Sequence, residues 1–293
     1  MPPHPSEAGP KLASRARAIN LNPGGVDRVE ALDSHRASRL RATSMATSSP
    51  RPAIAELEAE LERVHALHEA RASNPILAGA LERLASWQSR RLASTYADLA
   101  RDARYADAIA FFQDDLYGGK DFRRRDADLG RIVPAMSRLL PDAVVRTVAR
   151  AMELNALSHE LDVKLLDHLP RADARFSVEE YCRAFRRTGC GPDRRRQIAL
   201  IGEVGAALDR YVHRPMLSKA LVLMRRPAKL AGLEELQSFL ERGFGAFRRM
   251  GGADAFLATI ATRETAILEA IFGGANAPFP EPPLPQRTSR GLA

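Results

Sequence analysis

Apolar residues recur along this chain at alternating steps of three and four, the spacing of one buried helix face. Ile54, Leu57, Leu61, Val64 and His68 form the first such seam. Asn74-Pro75 predicts a fresh helix start with proline at the first helical position, and Leu77, Leu81 and Leu84 then line one side. Tyr105, Ile109, Phe112 and Leu116 predict another helix, stopped by Gly118. Leu129, Ile132, Met136 and Leu139 predict a helix that Pro134 kinks or restarts, because its ring crowds the carbonyl of Gly130.

Pro141 opens the longest periodic run, 142–168. Ser177-Val-Glu-Glu180 is a capping box for a helix through Phe185. Gly191-Pro192-Asp193 opens a helix carrying Ile198, Ile201, Val204 and Leu208, and Pro215 breaks it near Arg214. Leu233, Leu236, Leu240 and Phe247 mark a later helix ended by Gly251-Gly252. Phe256, Ile260, Ile267 and Ile271 mark the last. No alternating strand pattern or hairpin signal occurs. The pattern predicts an all-α fold, a multi-helix bundle of about nine or ten helices joined by short loops.

Residues 1–51 are rich in Pro, Ser, Ala and Arg without sustained periodicity and read as a disordered leader. Met45 stands just before the first helix and is a candidate translation start beside Met1. Residues 274–293 are Pro-rich and read as a disordered tail. A single helical domain is expected over 52–273.

Composition sharpens this only in part. The chain is 45% hydrophobic and 27% charged, as in soluble globular proteins. Its net charge of +8 suits an acidic partner. With only five lysines, the basic charge is nearly all arginine, which also fits a solvated surface from a GC-rich coding sequence. Cys182 and Cys190 have neither zinc-knuckle nor redox spacing, which favours a reducing, cytoplasmic setting. No apolar run reaches the roughly 18 residues of a membrane span, and no signal-peptide core is present.

The most distinctive stretch is FFQDDLYGGKDFRRRDADLGRI, 111–132. Gly118-Gly119-Lys120 is followed by Asp121 rather than Ser or Thr, and a helix rather than a strand precedes it, so the phosphate-loop reading fails twice. Asp114 and Asp115 are adjacent and point about 100° apart on a helix, unsuited to sharing a metal ion. The structural reading is a corner. Phe111, Phe112 and Leu116 bury, Gly118 and Gly119 end the helix, and Asp121 caps the next. Arg125 and Asp126 are placed for a tertiary ion pair.

The second candidate lies in AMELNALSHELD, 151–162. Glu153 and His159 are six apart, not the Glu-x-x-His spacing of a di-iron helix. Glu160 is placed to pair with Lys164 at i+4. Glu62-x-x-His65 on the first helix has the di-iron spacing but falls on a Glu-rich outer side. What remains is a polar stripe, Asn155, His159 and Asp162, flanked by apolar residues on a helix expected at the bundle's centre. One reading is a histidine oriented by Asp162 as base, metal ligand or haem ligand. The other is an inter-helix hydrogen-bond network, the commoner fate of buried polar groups.

Arginine clusters at 186–187, 194–196, 225–226 and 248–249 are the basis for a nucleic-acid alternative. They fall on several helices and lack interleaved aromatics for base stacking. No GxSxG, HExxH or CxxC is present, and no catalytic residue, metal site or cofactor is assigned.

FFQDDLYGGKDFRRRDADLGRIVPAMSRLLP, followed by ELNALSHELD, resembles an uncharacterised group of proteobacterial helical proteins. LMRRPAKLAGLEELQSFLERGFGAFRRMGGADAFLATIATRETAILEAIF is similar to that group's C-terminal part. The resemblance implies a bacterial, cytoplasmic protein and transfers no catalytic residue. The expected function is a non-catalytic interaction or regulatory module with a protein partner. The alternatives are a metal- or haem-binding protein using His159, and nucleic-acid binding through the arginines.

Overall fold

A computed structural model describes residues 51–113, 128–134, 140–169 and 176–283. Every regular element among them is helical. In chain order they are α1 (Pro52–Ser73), α2 (Pro75–Thr95), α3 (Ala97–Arg101), α4 (Ala106–Phe111), α5 (Asp142–Leu166), α6 (Val178–Arg187), α7 (Gly191–Val212), α8 (Pro215–Leu223), α9 (Arg225–Leu230), α10 (Glu234–Met250) and α11 (Asp254–Phe272). Residues 128–134 form a further helical stretch. The count exceeds the sequence expectation because α3 and α9 are helices of five and six residues, too short to leave a periodic signal.

The start and stop signals act as read. Asn74 Oδ1 accepts from the Leu77 amide at 3.1 Å ahead of Pro75. Ser177 Oγ accepts from the Glu180 amide at 3.2 Å, and Glu180 Oε2 accepts from the Ser177 amide at 2.8 Å. These reciprocal bonds satisfy amide groups that have no partner within the helix. Pro215 ends α7 and begins α8. Gly251 and Gly252, at φ of 66° and 122°, turn the chain from α10 into α11 in a region that side chains avoid.

The long α5 is central and packs against α1, α2, α6 and α7. Leu57 of α1 and Leu161 and Leu165 of α5 are fully buried, each contributing about 1.5–3 kcal/mol through burial. On one side Ala53, Ile54 and Leu57 meet Leu129, Val133, Val145 and Met152. On another, Leu84 and Trp87 of α2 meet Tyr181 and Phe185 of α6 and Leu268 and Ile271 of α11. A third cluster joins α4, α7, α10 and α11 around Phe111, Val212, Phe247 and Phe256. Two glycines permit close helix approach there. A Cβ at Gly205 would lie 2.5 Å from Leu257, and one at Gly243 would lie 2.9 Å from Phe111.

Two expectations change. The chain beyond residue 273 is not a loose end over its first ten residues. Phe279 is buried against Trp87 and Tyr181, and Glu281 accepts from the Val178 amide at 2.8 Å, at the start of α6. Glu160 pairs with Arg63 of α1, both nitrogen–oxygen distances being 2.6 Å, while Lys164 sits 3.6 Å from Asp193. A bidentate arginine fits a carboxylate better than a flexible ammonium four residues away. Residues 1–50 of the expected leader, 1–51, and residues 284–293 lie outside the described residues.

Candidate functional site

Of the expected corner, only Phe111 and Phe112 are described; Leu116, Gly118, Gly119, Asp121, Arg125 and Asp126 lie outside the described residues. Phe111 is buried against Phe239, and Phe112 packs on Phe247 and Phe256. Both therefore anchor the end of α4 in the core, and Phe112 also faces a cavity.

The polar stripe on α5 divides between two neighbours. Asp162 accepts from Gln88 Nε2 of α2 at 2.8 Å. His159 faces His68 and Arg71 of α1. Neither ring nitrogen of His159 has a hydrogen-bond partner, so Asp162 does not orient the imidazole. Three residues on a helix turn the side chain by about 60°, enough to aim these two at different helices. Burial first, then the proximity of His68 and Arg71, lowers the His159 pKa. Asn155 is half-buried on the same helix. Among the described residues, no group of three or more His, Cys, Asp or Glu side chains gathers as a metal site.

Asp162 opens onto a feature that periodicity did not reveal, a cavity of about 140 Å³ between α2, α5, α6, α7 and α11. Its apolar wall includes Leu92, Ile198, Ile201, Ile260 and Ile267. Its polar wall contains two hydrogen-bonded networks. Arg91 Nη1 donates to both carboxylate oxygens of Glu264, at 3.0 and 2.9 Å. Tyr96 donates to the same carboxylate at 2.7 Å. Arg194 Nη1 donates to Gln197 Oε1 at 3.0 Å, and Gln197 donates on to Ser158 Oγ at 2.8 Å.

The cavity's electrostatics are unusual for a core. Arg194 is only 6% exposed, and its guanidinium lies 4.6 Å from the Phe185 ring centroid. Its second terminal nitrogen makes a long 3.4 Å contact with the Leu161 carbonyl. No carboxylate forms an ion pair with it among the described residues, and its Nε has no hydrogen-bond partner. The Arg91 Nε is likewise unpartnered. Burial pushes the Asp162 carboxyl up, opposed by the Arg194 charge and the Gln88 hydrogen bond. It pushes the Tyr181 phenol up as well.

The arginine clusters are largely engaged within the fold. Arg186 donates to the Ile271 and Ala275 carbonyls at 3.2 and 2.8 Å. Arg196 binds Glu153 at 2.9 Å and Glu203 at 2.7 Å. Arg225 binds Glu241 at 2.7 Å, and Arg249 binds Asp107. They do not assemble a common basic face through these contacts.

The outer surface offers a second candidate. No residue of α8 is buried. Met216 is 83%, Leu223 77% and Leu230 90% exposed. Polar contacts hold this helix pair to α10, with Gln237 donating to the Leu221 carbonyl at 2.7 Å beside the Arg225–Glu241 pair. The apolar side chains are left outward. From residue 210 to residue 233 the sequence has no Asp or Glu but contains Arg210, Arg214, Lys219, Arg225, Arg226 and Lys229. The sequence reading placed only the Pro215 break here and assigned these apolar residues to no face, since spacing alone does not say which face is covered.

No helix among the described residues is long and apolar enough to cross a membrane. Comparisons with curated proteins and with solved structures returned no match. A family model described as a domain of unknown function (DUF8198) matches residues 67–278, from the second half of α1 through the segment after α11, and the chain belongs to that family.

Proposed function

We propose that this protein is a non-catalytic interaction module that docks a partner protein through α8 and α9. The exposure of Met216, Leu223 and Leu230 on one basic helix pair supports this reading most strongly. Apolar side chains left in water at this density mark contact surfaces. The surrounding positive charge suits a partner with an acidic rim, which would speed encounter and fix orientation. A bacterial origin and a cytoplasmic location belong to the same proposal, the first from the sequence resemblance and the second from free Cys182 and Cys190.

The other two readings have less support. His159 and His68 are two imidazoles without a third ligand among the described residues. Of the arginines of the nucleic-acid reading, Arg196, Arg225 and Arg249 are engaged by Glu153, Glu203, Glu241 and Asp107.

The test is affinity capture from native extract with wild-type protein and with the triple variant Met216→Ser, Leu223→Ser, Leu230→Ser. These side chains are exposed, so the variant should keep its helical circular dichroism. The expected result is a partner enriched by wild type and lost with the variant. Equal recovery by both, or capture of anionic vesicles in place of protein, would overturn the reading.

A further inference from the structure

We infer that the cavity beside Asp162 is a binding site for a small monocarboxylate with a compact apolar body, held through Arg194. The site is separate from the α8–α9 surface and does not depend on its role.

Arg194 is the strongest pointer. A buried charge is costly unless paired and hydrogen-bonded. This one lines the cavity, has only neutral hydrogen-bond acceptors, Gln197 Oε1 and the Leu161 carbonyl, and has a buried, unpartnered Nε. Arg91 leaves its own Nε unpartnered on the same wall. Guanidinium donors arranged in a fork match a carboxylate better than any neutral acceptor.

Charge counting agrees. The ionisable groups facing Asp162 are Arg194 of α7 and Tyr181 of α6; Arg91 of α2, near Tyr181, is paired with Glu264 of α11. Arg91 and Glu264 cancel. Burial pushes the Asp162 carboxyl up, against the Arg194 charge and the Gln88 hydrogen bond, and among the described residues Arg194 has no ion-pair partner. One negative charge on the ligand supplies it.

Size limits the rest. The cavity's 140 Å³ is close to the roughly 150 Å³ of an engineered cavity that takes benzene. It is well below the roughly 300 Å³ at which drug-sized sites begin. The isoleucine wall favours a branched or aromatic body over a polar one. Benzoate and isovalerate fit this description; a dicarboxylate would bring one charge too many.

The test uses the full chain with sodium benzoate and sodium isovalerate, against benzamide and isovaleramide as neutral shape controls, read by ligand-observed NMR and calorimetry. For ligands this small, the expected Kd of the better acid is about 1 mM or lower. The matching amide should bind at least about tenfold more weakly, as should the acid to Arg194→Met. Should Arg194→Met fail to fold, Ile201→Phe decides the matter, because it fills the cavity and leaves the arginine in place. It too should lose acid binding. No binding of either acid at about tenfold the expected Kd, amides binding as well as acids, or undiminished binding by folded Arg194→Met or by Ile201→Phe would each overturn the inference.

Discussion

Arg91 and Glu264 stand 173 residues apart in the chain, yet one guanidinium nitrogen touches both carboxylate oxygens, at 3.0 and 2.9 Å. The pair ties α2 to α11 across the cavity, with both side chains largely buried. Breaking a buried pair costs more than replacing it, because one charge is left alone. Glu264→Ala should destabilise the fold by about 3–5 kcal/mol in urea unfolding. The double variant Arg91→Met, Glu264→Leu should cost less than Glu264→Ala alone. A double variant that costs the sum of its single changes would mean that the pair is not coupled.

Phe279 gives the segment after α11 a measurable role. Its ring is buried against Trp87 and Tyr181, and the Arg91 guanidinium lies 4.9 Å from its centroid. Phe279→Ala should cost about 3–5 kcal/mol, as a large-to-small change in a core does. Truncation after Gly274 should lower the thermal midpoint at least as much. An unchanged midpoint would restore the reading of this segment as a loose end.

The approach of α7 to α11 depends on Gly205. Its missing Cβ would lie 2.5 Å from Leu257, whereas Gly202, one turn earlier, has open space around it. Gly205→Ala should destabilise by about 1–3 kcal/mol through overpacking. Gly202→Ala should be neutral or stabilise by up to about 1 kcal/mol through helix propensity. Chemical denaturation of both variants checks the contrast, and equal effects would contradict the packing of these two helices.

Asp162 should leave a signature in the pH dependence of stability. Its folded pKa is raised, so as pH falls through that value the folded state takes up a proton first and gains stability, until the unfolded group titrates near about 3.9. Glu153 and Glu160 act in the opposite sense. Their pairing with Arg196 and Arg63 lowers their folded values, so their contribution is lost as pH falls below about 4.3. Above that pH, Asp162 is the one of these three that acts. Asp162→Asn retains an acceptor for Gln88 but no titrating proton. Urea unfolding on descending from pH about 7 to about 5 should show wild type gaining on the variant. A constant difference, or a loss, would mean that Asp162 is ionised and satisfied in the fold.

Helices were legible from sequence wherever a cap and a seam coincided. Asn74-Pro75, Ser177 with Glu180, and Gly251-Gly252 act locally, and local chemistry is written in adjacent residues. The cavity was harder to see because its polar wall joins residues from distant helices. A signal for it does exist. Arg194 shares a face with Ile198 and Ile201, Arg91 with Leu84 and Trp87, and Glu264 with Ile260 and Ile267. A charge on an apolar stripe must find a buried partner, and no spacing within one helix names that partner. The stripe on α5 showed that Asp162 was buried but not that it faced Gln88 rather than His159. The exposed α8 reads like any core helix, since the pattern records hydrophobicity and not what covers it.

The docking surface is tested most directly by hydrogen exchange on the protein in complex with its captured partner. Backbone amides over residues 215–230 should gain protection on binding, while those of α1 and α5 remain as in the free protein, and the Met216→Ser, Leu223→Ser, Leu230→Ser variant should form no complex. Protection gained elsewhere with residues 215–230 unchanged, or a complex that forms equally well with the variant, would contradict the assignment of α8 and α9 as the surface through which this protein acts.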